Sequence, residues 1–167
     1  MSTFKIDVTD LKWIGEITDD PRDLCLHGKV TAQIGKEVIE DHGTVSATAL
    51  YLLRSLTEDH NTGEDNQMIP CCGHFMIANE DMTHVDIVGC PFGTDWKVEQ
   101  IPEGVKITTE SGTQTHIAMD DYRREVYRFV DQIEDHYNRS KPKQPYDDFE
   151  RKGYWAFWNE WHRRRSE

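Results

Sequence analysis

At 167 residues the chain is the length of one domain and can bury an independent core, for which five Trp, six Tyr and six Phe supply anchors. Asp and Glu number 31 against 19 Lys and Arg, a net charge of −12. That balance excludes nucleic acid and anionic membrane surfaces as expected partners, because both are bound through Lys and Arg that displace counterions.

The acidity is uneven. Residues 151–167 hold five basic and two acidic residues, which leaves 14 basic against 29 acidic in residues 1–150, a net of −15. Such acid either serves solubility alone or matches a basic protein partner by complementary charge. The opening "MSTFKIDVTD" is charged where a signal peptide would be apolar, and no run of ~18 apolar residues occurs, so a cytoplasmic location is expected.

Residues 1–23 read as an N-terminal arm in which "FKIDVT" alternates like a short strand. The body spans 24–137. Leu26, Val30, Ala32 and Ile34 alternate with His27, Lys29, Thr31 and Gln33, a strand with one wet face, and Gly35–Lys36 suits a type II′ hairpin into "EVIED". In "TVSATALYLLRSLTEDH", Val45, Ala49, Leu52, Leu53 and Leu56 form the stripe of an amphipathic helix capped by Thr44 or Ser46. An acidic loop follows from Glu58 to Gln67. Five β-prone runs, "MIPCCGHFMIA", "HVDIVGC", "WKVEQI", "VKITTE" and "THIAM", then predict an antiparallel meander.

Past Asp120 as a cap, Tyr122, Val126, Phe129, Val130, Ile133 and Tyr137 follow helical spacing. Residues 138–146, with two prolines, are a connector. Residues 147–165 are a C-terminal aromatic helix capped by Asp147 or Asp148, with arginines at its dipole-favoured end. The whole predicts a single α+β domain: an antiparallel sheet, hairpin plus meander, packed against about three helices.

The chemistry-bearing stretch is "IPCCGHF" at 69–75. On a strand over 71–77, Cys72 and His74 share a face with Cα atoms about 6.5–7 Å apart. Cys90 ends another predicted strand, and Cys25 with His27 falls on the wet face of the first hairpin. Three readings follow. The cysteines are packed thiols of a reducing compartment, all four reduced and weakly reactive. Or Cys72, His74 and Cys90 hold a metal, for which zinc suits the thiolate and imidazole donors. Or Cys72 and His74 form a nucleophile and base, with Gly93-Thr94-Asp95 orienting the histidine.

The chain lacks a phosphate-binding Gly-rich loop, a G-x-S-x-G elbow and an H-E-x-x-H helix, so no cofactor and no enzyme class is expected from motifs. In size, acidity, α+β pattern and lack of such motifs the chain is similar to bacterial toxin-immunity proteins, which neutralise often basic toxins. The likeness rests on general character and transfers no residue. It implies a non-enzymatic protein-binding module of immunity or inhibitor type. The candidate contacts are the acidic loop residues Glu58, Asp59, Glu64 and Asp65, and Trp155 on the aromatic helix.

Overall fold

The computed structural model describes residues 3–15, 17–63, 66–72 and 75–167. It is an α+β fold with three antiparallel sheets and three helices. β1 (Phe4–Lys12), β2 (His27–Ile34) and β3 (Glu37–Thr44) form one sheet in the order β1-β2-β3. Alternation places Val30, Ala32 and Ile34 inward, all fully buried. Ile34 pairs with Glu37 across a two-residue turn, in which Gly35 takes φ +60° as the first position of a II′ turn requires.

The N-terminal segment is less separate than an arm. β1 is zipped along β2, and residues beyond it meet the connector: the Trp13 indole donates to Ser140 Oγ at 3.2 Å, and Gln144 N donates to the Pro21 carbonyl at 2.8 Å. The Lys143 ammonium sits 3.2 Å from the centre of the Trp13 ring. Cys25 and His27 are buried rather than wet. Helix α2 (Met119–Arg139) covers this end of β2, where the Tyr137 hydroxyl donates to the Leu24 carbonyl at 2.7 Å and accepts from Leu26 N at 3.2 Å.

α1 (Val45–Arg54) differs from the amphipathic surface helix its apolar spacing predicts. Every residue from Val45 to Leu53 is buried, and the helix packs on β2, α2 and α3 (Asp148–Arg165). Its polar side is made of small hydroxyls that bury cheaply when bonded, as when Thr48 Oγ1 donates to the Thr44 carbonyl at 3.4 Å. Thr44 stands at the N-cap position without a side-chain cap, its hydroxyl being 3.2 Å from His27 Nε2.

The predicted five-strand meander divides in two. β6 (Trp96–Ile101), β7 (Gly104–Thr109) and β8 (Gln114–Ala118) make a meander, while β4 (Phe75–Ala78) and β5 (Val85–Val88) form a separate ribbon. α2 packs on α1, β1, β7 and β8, burying Tyr122, Val126, Phe129, Val130, Ile133 and Tyr137, the residues its periodicity selects. The helix starts after Ala118 rather than Asp120, so Asp120 and Asp121 lie in its first turn, where the dipole favours them. On α3, Asp147 is the cap and accepts from Glu150 N at 2.9 Å. Phe157 and Trp161 are buried, and Trp158 meets Tyr137 edge-on with ring centres 4.9 Å apart. Among the described residues no helix is long and apolar enough to cross a membrane.

Candidate functional site

The β4–β5 ribbon pairs Phe75 with Val88, Met76 with Ile87, Ile77 with Asp86 and Ala78 with Val85. Period-two alternation sends Met76, Val85 and Ile87 inward and leaves Phe75, Ile77 and Val88 on the outer face. The inward side lies on α3, where the strand and helix backbones approach so closely at Gly153 that a Cβ there would overlap the Met76 carbonyl oxygen. Gly153→Ala should therefore lose about 1–3 kcal/mol of unfolding free energy in urea, the cost of forcing packed elements apart. A neutral result would mean that α3 does not seat the ribbon.

The open end of the ribbon gathers sulfur. Cys71 and Cys72 precede β4, and Cys90 follows β5, so the antiparallel pairing sets them side by side. Cys71 and Cys90 are joined as a disulfide with Cα atoms 6.8 Å apart. Cys72 keeps a free thiol, its Sγ 2.9 Å from Cys90 Sγ, and accepts from Cys90 N at 3.1 Å. The three sulfurs all lie within 4.8 Å of one another, on half-buried residues.

Beneath them is a backbone neck. Ile69 and Thr94 exchange hydrogen bonds of 2.9 and 3.0 Å, and the Pro70 carbonyl accepts from Thr44 N at 2.9 Å. Gly43 and Gly93 permit this approach: a Cβ on either would overlap a carbonyl oxygen of Pro70 or Ile69.

Several expectations change here. The strand begins at Phe75, so the face-sharing argument for Cys72 does not apply, and Cys90 lies beyond the end of β5 at Val88. Hairpin closure, rather than strand alternation, brings Cys72 to Cys90. His74 lies outside the described residues, as do Glu64 and Asp65. The expected four reduced thiols are not found, since Cys71 and Cys90 are bonded. Cys25 is buried within the hydrophobic core, and burial, reinforced by Asp23 and Glu150, pushes its thiol up to about 12, which keeps it protonated and inert.

Asp95 does orient a histidine, but it is His60, whose Nε2 lies 2.7 Å from Asp95 Oδ1. The same oxygen accepts from Met68 N and Trp96 N, both at 2.9 Å, and His60 is bridged through its backbone to Val98. The pair anchors the start of the acidic loop to β6. Glu58 and Asp59 serve the same end: Glu58 Oε1 accepts from Arg164 at 3.0 Å, and Asp59 Oδ1 from Gln100 N at 2.7 Å. Trp155 is 52% exposed on α3.

Sequence reading missed a buried ionic cluster below the ribbon. Glu160 on α3 is fully buried and accepts from Arg54 Nε at 2.7 Å, Arg164 Nε at 2.8 Å and Val85 N at 3.0 Å. Arg164, one of the arginines expected at the dipole-favoured end of the helix, is there and also turns inward to make this contact. The signal was present: Gly153, Phe157, Glu160 and Arg164 follow spacings of four, three and four along the stripe that faces the core. Compared with protein-family models, curated proteins and solved structures, the chain matches none of them.

Proposed function

We propose that this chain is a non-enzymatic protein-binding module that docks a basic protein on the outer face of the β4–β5 ribbon. The observation that carries this reading is an exposed apolar surface on a very acidic body. Phe75 is 66%, Ile77 40% and Val88 49% exposed on one strand face, and Phe92, just past Cys90, is 81% exposed. Phe149 lines a cavity of about 310 Å³ with Phe75, and a second cavity of about 290 Å³ with Ile77.

Contiguous apolar surface of this kind marks interaction sites, and a polar rim around an apolar centre is the usual anatomy of an interface. The rim here is mainly acidic, with Lys152 the cation at the second cavity. Asp86 stands opposite Ile77 on the strand face, Asp147 and Glu150 border the first cavity, and Glu80 borders the second. A partner with an apolar anchor flanked by Lys and Arg fits both features, and covering such a surface is how an immunity or inhibitor module acts. Glu58 and Asp59 have internal partners, which makes them weaker contacts than the ribbon. Trp155 remains available as a second aromatic contact.

A photo-crosslinking side chain at position 75 tests the reading, with one at Val38, 58% exposed on β3, as control. The expected adduct is a basic protein seen from position 75 and not from position 38, with a yield that falls as salt rises. Phe75→Asp should weaken capture of that protein by about 30-fold or more while changing unfolding free energy by less than about 0.5 kcal/mol. Identical adducts from both positions, or adducts only to a second copy of this chain, would sink it.

A further inference from the structure

We infer that, once its disulfide is reduced, the open end of the ribbon holds one zinc ion through Cys71, Cys72 and Cys90. The three ligand atoms already lie within 4.8 Å of one another. Tetrahedral zinc with sulfur at about 2.3 Å sets its ligands about 3.8 Å apart, a separation the cluster spans with small side-chain rotations.

The positions do not depend on the sulfurs for their proximity. The Ile69–Thr94 bridge and the hydrogen bond from Thr44 N to Pro70 fix the segments from which the cysteines project. A site held in this way loses little entropy on binding an ion. A disulfide, by contrast, uses Cys71 and Cys90 and leaves Cys72 Sγ, 2.9 Å from Cys90 Sγ, outside the covalent bond. A metal ion uses all three. The hydrogen bond from Cys90 N to Cys72 Sγ is the kind of supporting contact that stabilises a coordinated thiolate. Three sulfurs are a soft donor set, which selects zinc over magnesium or calcium.

The chemistry balances without change at the metal. Two molecules of a cellular thiol of the glutathione class supply two electrons and two protons to the Cys71–Cys90 bond, giving two protein thiols and one disulfide of the reductant. Zinc then displaces the protons of the three thiols and keeps one position for an oxygen or nitrogen donor. Disulfide and zinc are thus alternative closures of one ribbon end.

The test uses the full chain, reduced and then freed of reductant under anaerobic conditions. Elemental analysis should find about one equivalent of zinc per chain. Co²⁺ added alone to the metal-free chain should give the intense near-ultraviolet sulfur-to-cobalt band expected of several thiolates. Cys71→Ser, Cys72→Ser and Cys90→Ser should each lower Co²⁺ affinity by at least roughly 100-fold, the upper end of what loss of a supporting group alone costs. Cys25→Ser, in the core, and Phe75→Asp, on the docking face, should both keep it.

A reduced wild-type chain that takes up neither zinc nor cobalt overturns the inference, and that result needs no variant to fold. So does a Cys72→Ser chain that binds as the wild type does, because the third sulfur would then be idle.

Discussion

Glu160→Gln should lower the unfolding free energy by about 3–5 kcal/mol at neutral pH, the range for breaking a buried ion pair from one side. Glutamine keeps the shape but removes the charge that Arg54 and Arg164 share, and Arg164 is itself only 6% exposed. His84 Nδ1 lies 3.2 Å from the same carboxylate and Val85 N donates to it, so the substitution also loosens β5 where it meets α3.

The wild-type carboxyl has a signature of its own. Burial alone would raise its pKa, but the hydrogen bonds and charge of Arg54, with Val85 N and Arg164, outweigh burial and bring it from 4.5 down to about 2. A folded value below the unfolded one means stability that is fully present above pH 4.5 and is lost as pH falls toward 2. The loss amounts to about 3 kcal/mol. Urea denaturation across that range should show a steeper fall in the wild type than in Glu160→Gln, which keeps only the slope of the other carboxylates such as Glu37. Parallel curves would place the acid sensitivity elsewhere.

Phe129→Ala should cost about 3–5 kcal/mol, by lost transfer energy and by the cavity left in a core that relaxes only in part. Phe129 is fully buried on α2 between the equally buried Val126, Val130 and Ile133, and that helix joins the β1-β2-β3 sheet, the β6-β7-β8 meander and α1. A shifted urea midpoint with an unchanged slope is the expected form of the result. A loss below about 1 kcal/mol would mean that neighbouring side chains close the space.

The legible parts of this fold were those whose pattern is local. α2 is read correctly because a helix with one buried stripe repeats its apolar residues every three or four positions. The II′ hairpin is read correctly because Gly35 sits where positive φ is required. α1 misleads because a helix buried on all sides has no wet face to mark, and serine, threonine and alanine look like polar filler until they are seen packed. The division of the strands into ribbon and meander depends on contacts between residues far apart, such as Ile69 with Thr94, that no spacing encodes.

The candidate site divides in the same way. Adjacent cysteines with a third some way downstream point to Cys72 and Cys90, but through strand positions, and both residues lie outside β4 and β5. Cys71, which the metal reading left out, is a member of the cluster. The outer face of the ribbon escaped notice because Phe75, Ile77 and Val88 are ordinary strand residues in sequence, and only the fold shows how much of their surface stays exposed together.

The neck at Ile69 and Thr94 gives the molecule a hierarchy of opening. The Ile69–Thr94 pair and the Thr44–Pro70 hydrogen bond hold the base of the β4–β5 ribbon, while the other two sheets carry their own ladders. Amides of β4 and β5 should therefore exchange with solvent by a lifting of Met76, Val85 and Ile87 from α3, at a lower free energy than global unfolding requires. The Cys71–Cys90 bond should hold the two strands in register during such a lifting, so that the ribbon returns to its seat as a preformed piece.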